Sequence, residues 1–436
     1  MTKKLMLCLI FLLLPFSISF GADDLEQRVK TLEDASTERQ KTIEEQQKTI
    51  EELKKGAAQP EPPASGPSGL TGLFGGSALA NPNISLIVNT FLYSSNIKGS
   101  GLPGRGIPGF TNIGIENGKG FNLDAAELFI FAPVDPYFNL YADIPVTESG
   151  AEVEEAYFVT ASLPEGLQAK GGKFKSGFSR INSQHPHAWD FADTPLVYRA
   201  FIGGEGLTEK GAQLTYLPQF PFYAQLGVEV LQGENPVLFG PDAGSGPHAY
   251  GAFAKASFDL GDYSTVLFGP SAITGKTKTA SIADDTWFAG SSTLYDFELT
   301  YKWKPTRDRS LTLQGEYMLR DQKGDLTDTV LNTVNTLKRS QDGAYLQGMY
   351  RFGRWGAGAR YDILQIFKSE YVLSKADEGF GRRPWRATGD IEFSPTEFSR
   401  IRVQYNYDRS GRDGRTNNEV FLQFIMGIGA HAAHPF

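Results

Sequence analysis

From residue 83 onward, apolar and polar positions alternate in segments of about eight to twelve residues, and turn residues separate the segments. Successive side chains of a β-strand point to opposite faces, so this period of two predicts strands with one apolar and one polar face. Over residues 400–408 the even-numbered positions are polar and the odd-numbered ones are Ile, Val or Tyr. Residues 419–428 have one continuous apolar face, formed by Val420, Leu422, Phe424, Met426 and Ile428.

Short turns alternate with longer polar loops along this part of the chain. This asymmetry is typical of an outer-membrane barrel, in which a polar strand face must lie in a water-filled lumen and not in lipid. At about ten residues per strand plus loops, residues 83–436 fit an all-β, transmembrane antiparallel β-barrel of 16 strands, with 18 as the alternative. A barrel of this size leaves an aqueous channel. The predicted long loops are residues 98–120, 233–246, 274–287, 321–339 and 368–383.

The first 82 residues follow other patterns. Residues 1–21 have a positively charged start and a short apolar core, which predicts a secretory signal peptide. Residues 23–55 repeat apolar positions by four and three with polar interruptions, which predicts a periplasmic coiled-coil helix, with a single solvated helix as the alternative. Residues 56–82 are rich in Pro, Gly and small residues and predict a linker.

Composition and charge exclude several classes of protein. The 436 residues include 12% aromatics and 48 glycines, but no apolar run after the amino terminus is long enough for a membrane helix. The formal net charge of −8 argues against nucleic acid as a partner. The only cysteine, Cys8, lies within the predicted signal peptide, so the mature chain would have neither disulfides nor thiolate metal sites.

Residues 172–217 do not read as a plain hairpin, because their middle contains two histidines, Trp189 and several prolines and acids. The motifs EEAYF, GKFKSGF, INSQHPHAWDFAD, PLVYR and GGEGL in this region, and the closing GAHAAHPF, resemble a family of Gram-negative porin-like outer-membrane proteins. That family is distantly similar to the phosphate-selective porins O and P. The terminal Phe436 is also similar to the assembly signal of outer-membrane barrels.

The resemblance implies a channel in the outer membrane, surrounded by lipid and forming a homotrimer, with a loop folded into the lumen. In this sequence the loop would be residues 182–206. Some members of the group are described as zinc-regulated or as metal-uptake receptors. The resemblance therefore also bears on the histidines.

Four of the five histidines fall in two short motifs, HPH and HAAH. Neutral imidazole is a common ligand of Zn²⁺ and Cu²⁺, and a nearby aspartate can complete such a site. The alternative is that these are polar residues held by hydrogen bonds in a loop and at a barrel rim. The candidate ligands are His185, His187, Asp190, Asp193, His431 and His434, and Zn²⁺ is the only candidate cofactor.

Lumen charge sets the selectivity of a channel, and arginine binds phosphate and carboxylate groups in a bidentate manner. Basic residues in the predicted strands and in the inward loop therefore suggest a bias toward anions. The alternative is a pore of mixed charge, because the barrel also contains many acids. The candidate pore-lining residues are Lys173, Lys175, Arg180, Arg199, Arg360, Arg400 and Arg402.

No enzyme signature is present. The Gly-rich runs GFGRR and GGEGL lack the strand–helix context of a phosphate cradle. Glu154 and Glu155 are adjacent, so strand geometry predicts that they point to opposite faces. The sequence thus predicts a porin for passive diffusion of small hydrophilic solutes or ions. A metal-binding uptake protein that uses the HPH and HAAH motifs is the alternative, and the coiled coil also suggests a tethering role.

Overall fold

The computed structural model describes most of the predicted barrel. The predicted signal peptide, the coiled-coil helix, nearly all of the linker and residues 430–436 lie outside the described residues, so those expectations stay predictions. The described residues are 82–98, 118–204, 206–240, 242–280, 286–367, 371–372, 383–411 and 413–429.

Within this part the chain is almost entirely β-structure. Two strands have only two residues each, β4 (Gly150–Ala151) and β15 (Tyr371–Val372), and one short α-helix, α1, spans Leu196–Phe201. The sixteen longer strands are β1 (Asn83–Ser95), β2 (Gly120–Pro133), β3 (Phe138–Thr147), β5 (Glu155–Thr160), β6 (Leu167–Lys175), β7 (Thr208–Tyr216), β8 (Tyr223–Leu231), β9 (Ala249–Asp259), β10 (Ser264–Ala280), β11 (Thr286–Thr306), β12 (Arg309–Asp328), β13 (Thr333–Phe352), β14 (Trp355–Leu364), β16 (Trp385–Thr396), β17 (Ser399–Asp408) and β18 (Asn417–Gly429).

The sheet closes on itself. Each long strand pairs antiparallel with the next long strand along the chain, and β1 also pairs with β18, from Ser85 opposite Gly429 to Ser95 opposite Glu419. Closure removes the free edges that an open sheet would expose. The structure therefore confirms an antiparallel barrel of sixteen strands, and a count of eighteen is reached only with the two-residue strands.

Burial alternates along the strands as the sequence pattern predicts. On β17, Arg402 and Gln404 are buried inside the barrel, whereas Val403 and Tyr405 remain 51% and 46% exposed on the outside. On β18, Glu419 and Gln423 are likewise buried, and Met426 is 57% exposed on the outside. The barrel therefore has an apolar outer face and a polar inner face.

The two ends of the barrel differ. Short turns join β2 to β3, β9 to β10, β11 to β12, β13 to β14 and β16 to β17, and they define the short-turn end. The opposite, long-loop end contains the connections from β6 to β7, β8 to β9 and β14 to β16. Among the described residues, no helix has the length and apolar character needed to cross a membrane.

Two of the predicted long loops are wrong. Most of residues 274–287 and 321–339 belongs to extended hairpins, in which Lys276 faces Ser291 and Lys323 faces Lys338. Both faces of these hairpins are mostly polar, with Phe288, Leu326 and Leu337 as a small buried apolar cluster, so no regular alternation marks them as strands. Their ladders continue the hydrogen bonding of β10 to β13 beyond the apolar part of the barrel.

Candidate functional site

The connection between β6 and β7, residues 176–207, lies inside the barrel and is called the inward segment. Its backbone and side chains contact the inner faces of strands on all sides of the lumen. The contacts reach β2 through Glu127, β8 through Glu229, β12 through Glu316 and β17 through Gln404. Because these strands lie around the whole circumference, the segment crosses the interior of the barrel.

The composition of the inward segment explains why it leaves the barrel wall. Pro186 and Pro195 lack the N–H that a strand ladder needs, and each precedes or begins a short helical turn. Helix α1 then buries apolar side chains within the lumen. They pack against an apolar cluster that includes Phe178, Leu231, Phe239, Ile273, Leu294, Met318 and Leu364. This cluster fills one side of the interior and excludes water there.

Asn182 joins the beginning and the end of the inward segment. Its side-chain amide donates to the backbone oxygens of Ser176, at 2.9 Å, and Leu207, at 3.2 Å. Its side-chain oxygen accepts from the Tyr198 hydroxyl, at 2.8 Å, and from the Leu207 backbone N–H, at 2.7 Å. One buried side chain thus closes the loop on itself.

Asp193 lies at the centre of a buried polar network. Its two oxygens bind Arg360 Nη2 at 2.6 Å and Arg386 Nη1 at 2.7 Å, and they also accept from Gln404 and Asn406. Burial opposes the charged form, but Arg386 and Arg360 outweigh it and hold the pKa of Asp193 well below its ordinary value. The charged carboxylate therefore fastens the segment to β14, β16 and β17.

A second ion-pair network lies nearer the short-turn end. Asp190 binds Arg351 Nη2 at 2.7 Å, and Arg351 Nε also binds Glu392 at 2.6 Å. Arg402 donates to the backbone oxygen of Trp189 at 2.8 Å. The Arg351 side chain is 33% exposed, whereas that of Arg402 is fully buried. This network therefore meets the water-accessible part of the lumen.

The HPH motif packs against carboxylates from three neighbouring strands. His185 Nδ1 lies 2.9 Å from Glu127 Oε1 and 3.1 Å from Asp143 Oδ2, and His185 Nε2 lies 3.0 Å from Glu155 Oε1. His187 Nδ1 lies 2.6 Å from Glu127 Oε2. These residues, together with Glu154, are called the histidine–carboxylate cluster.

The charge of this cluster is predominantly negative. Burial disfavours protonation of His185, but Glu127 and Glu155 outweigh it and raise the pKa of His185 to about 10. A Glu154 oxygen lies 3.9 Å from His185 Nδ1, and Lys175 binds Glu154. Glu154 and Glu155 therefore approach the same histidine, contrary to the prediction of opposite faces, because β5 begins only at Glu155.

Lys173 does not line the lumen, which corrects one prediction. Its neighbour Phe174 points inward and is buried in the apolar cluster, so Lys173 points to the outer face. There it pairs in register with the exposed Lys210. Its ammonium binds the Val153 backbone oxygen at 2.7 Å. The sequence pattern could not decide between the two faces of this short strand.

The other predicted basic residues fall into three groups. Arg360 and Arg402 are buried and bind carboxylates, so they hold the segment instead of presenting free charge. Arg180, Arg199 and Arg400 are only partly buried. Lys175 is almost buried, with its side chain 8% exposed, and it belongs with the histidine–carboxylate cluster.

The predicted metal ligands are not all brought together. Asp190 and Asp193 bind arginines and do not approach His185 or His187. His431 and His434 lie outside the described residues. Instead, Glu127, Asp143, Glu154 and His185 each place one potential ligand atom within 4.8 Å of the others. This set is compatible with a shared cation.

Sequence reasoning missed Asp143 and Asp362 as functional partners. Asp362 binds Arg360 at 3.1 Å and Arg386 at 3.2 Å, and it accepts from the Leu196 backbone N–H. Asp143 is the only charged residue of β3, and a single acid within an otherwise uncharged membrane strand is a signal that would have found it. Strand register predicts that both side chains point into the barrel. It does not predict their contacts with the inward segment, which are His185 for Asp143 and the Leu196 backbone N–H for Asp362.

The comparisons with known proteins support this architecture. No family model matches the sequence. A protein of Aquifex aeolicus (strain VF5), described only as uncharacterized, is 42% identical over 382 residues, which cover 81% of this chain and 80% of that protein. The resemblance to phosphate-selective porins O and P stays a prediction.

Solved structures with low sequence identity have the same fold. In-vitro folded OmpT, an outer membrane protein of Vibrio cholerae, has a TM-score of 0.50 at 12% identity and covers 82% of this chain and 100% of its own. The outer membrane channel DcaP of Acinetobacter baumannii has a TM-score of 0.50 at 13% identity and covers 81% of this chain and 99% of its own. The chain therefore has the fold of outer-membrane β-barrels, and it belongs to the same family as the Aquifex aeolicus protein.

Proposed function

We propose that this protein is a channel in the outer membrane of a Gram-negative bacterium through which small hydrophilic solutes or ions diffuse passively. One observation carries the proposal: a closed barrel of sixteen strands has an apolar outer face and a polar interior. The apolar face fits lipid, and a barrel of this size encloses water. The short-turn end then faces the periplasm, and the inward segment narrows the path.

We propose further that the channel has a weak bias toward anions. Four basic side chains near the short-turn end are partly exposed within the lumen, namely Arg180, Lys302, Arg351 and Arg400. Asp190 and Glu392 near Arg351, and Glu298 near Arg180, offset part of this charge. Deeper in the wall, buried carboxylates outnumber buried arginines, so the bias arises from this local group alone. The group differs from the basic track expected from the sequence, since Lys173, Arg360 and Arg402 do not contribute.

Single-channel recording in planar bilayers under a KCl gradient tests both statements. We expect stepwise conductance and a reversal potential whose sign indicates selectivity for anions. Asp190→Asn should increase the anion-to-cation permeability ratio about fivefold, because one unit charge at about 8 Å in water changes the energies of an anion and of a cation by about 0.5 kcal/mol each, in opposite directions. Arg400→Gln should decrease the ratio by a similar factor.

Asp325→Asn is the matched control, because Asp325 is exposed on the extended part of β12 and should leave the ratio unchanged. A cation-signed potential in the unmodified protein would overturn the anion bias and leave the channel intact. The absence of conductance from correctly folded protein would overturn the channel itself. The homotrimer expected from the resemblance would be checked on the same sample by light scattering.

A metal-binding uptake protein is the second candidate. The histidine–carboxylate cluster is the observation that favours it, because that cluster places His185 and His187 beside buried acids. Uptake would require the ion to pass through the barrel. Zn²⁺ flux into proteoliposomes that exceeds the flux of other small ions would support this function, and equal fluxes would favour the general channel.

A further inference from the structure

We propose that the histidine–carboxylate cluster binds one divalent transition-metal cation, which fastens the inward segment to β2, β3 and β5. His185 belongs to the segment, Glu127 lies on β2, Asp143 lies on β3, and Glu154 directly precedes β5. A shared ion would therefore join the loop to the wall. The site stands on its own geometry and does not require the proposed channel function.

The donor atoms already have suitable spacing. One ligand atom each from Glu127, Asp143, Glu154 and His185 lies within 4.8 Å of all the others. Ligands at about 2.0–2.2 Å from a common ion lie about 3–4 Å apart, so only small side-chain movements would complete the coordination. Four protein ligands are the usual number for a zinc site.

The remaining imidazole nitrogen of His185 has the partner expected of a metal ligand. With the ion at Nδ1, Nε2–H would donate to Glu155 Oε1, which lies 3.0 Å away. A carboxylate that orients a ligating histidine through its second nitrogen is common in protein metal sites. His187 binds the other oxygen of Glu127 and would orient that carboxylate in the same way.

A second observation points to a missing cation. Asp143 is only 2% exposed, and within the described part of the chain its Oδ1 has no hydrogen-bond partner. A buried carboxylate oxygen without a partner is costly. The cluster contains four carboxyl groups, and its positive charges are Lys175 and, while no ion is bound, the protonated His185, whose proton the ion would replace. A divalent cation would offset the remaining negative charge.

The donor set determines the class of ion. Imidazole with carboxylates suits Zn²⁺ and other first-row divalent metals, whereas Ca²⁺ and Mg²⁺ prefer oxygen ligands alone. A separate group of buried acids, Asp296, Glu298 and Glu316, offers only oxygens, and Lys255 lies 3.2 Å from Glu298 there. That group is therefore a useful comparison within the same protein.

Zn²⁺ titration of the purified full-length protein, stripped with a chelator and kept in detergent, tests the site. Calorimetry should show one saturable equivalent of Zn²⁺, and Ca²⁺ at the same concentrations should show none. Bound Zn²⁺ should also slow amide hydrogen exchange in residues 182–199. Asp143→Asn and His185→Ala should each weaken Zn²⁺ binding at least 10-fold and abolish the exchange effect.

Three controls separate this site from others. His248→Ala, Asp296→Asn and the double variant His431→Ala/His434→Ala should keep full binding. Heat-modifiable gel mobility checks the folding of each variant, and the near-isosteric Asp143→Asn decides the matter if His185→Ala does not fold. The proposal is overturned if Zn²⁺ does not saturate at one equivalent, if Asp143→Asn binds normally, or if a control variant loses the binding. Channel conductance is recorded separately, so its failure would not affect this result.

Discussion

At the scale of single residues, the inward segment depends on Asn182 and on the space beside it. Gly206 has φ +78, and a Cβ on it would lie 2.2 Å from the Tyr198 hydroxyl oxygen and 2.8 Å from Asn182 Oδ1. This backbone conformation favours glycine. The hydrogen bonds of Asn182 to Tyr198 and Leu207 therefore need a glycine at position 206 for two reasons, conformation and space.

Gly206→Ala should destabilise the end of the inward segment, where it joins β7. We expect the local free energy of opening to fall by about 1–3 kcal/mol, because the new methyl group is strained and displaces Tyr198 from Asn182. Hydrogen exchange at the Leu207 amide measures this opening directly. Gly204→Ala is the matched control, since a Cβ there meets nothing within 4 Å and its φ does not require glycine. Equal exchange rates in the two variants would contradict the role of Gly206.

The attachment at Asp193 should resist mild acid. Arg386 and Arg360 overcome the effect of burial and lower the pKa of Asp193 below its ordinary 3.8. A carboxyl group with a depressed pKa contributes stability that is complete above the unfolded value and is lost as the pH falls toward the folded value. We therefore expect exchange protection of residues 192–197 to persist from about pH 7 to 5 and to decline only below about pH 4. Asp193→Asn should remove this dependence, and a decline near pH 6 would contradict the assignment.

At the scale of elements, four strands are much longer than a membrane requires. β10 has 17 residues, β11 has 21, and β12 and β13 have 20 each, whereas a spanning strand needs about 9–11. Their outward apolar side chains, such as Phe297 and Leu299, occupy the part nearer the short-turn end. The polar part beyond them continues the same ladders at the long-loop end. These strands therefore combine a membrane-spanning part with a solvated hairpin.

An arginine on the outer face should be costly only within the apolar band. Val228 lies in the middle of β8 and is 55% exposed on the outside. Val228→Arg should therefore decrease the free energy of unfolding in bilayers by about 2–4 kcal/mol. Thr336→Arg is the control, because Thr336 is exposed on the polar extension of β13. Urea unfolding in lipid vesicles measures both variants. Similar stabilities would contradict the proposed position of the membrane.

At the scale of the whole molecule, the barrel and its inward segment depend on each other. The wall contributes arginines, which bind Asp190 and Asp193 of the segment. It also contributes carboxylates, which bind the histidines of the segment. Removing one member of such a buried pair leaves the other charge uncompensated, at a cost of about 3–5 kcal/mol. The segment is therefore an integral part of the barrel interior.

From the alternation of its residues, the sequence predicted the strand pattern and the direction of most side chains, because a period of two is local. It predicted sixteen strands, the polar inner face of β17 and the position of the non-hairpin region around residues 182–206. It failed for the polar hairpins of β10 to β13, where neither face is apolar. It also failed for Lys173, where a strand of nine residues offers little pattern.

Which charged groups meet depends on the fold of the whole chain. His185 approaches Glu127 across 58 positions of sequence, and Asp193 approaches Asn406 across 213. Such pairs depend on how barrel closure and the path of the inward segment bring distant chain segments to the same height in the lumen. Periodicity carries no information about these distances. Therefore the sequence identified the histidines and arginines as candidates, whereas the fold selected their partners.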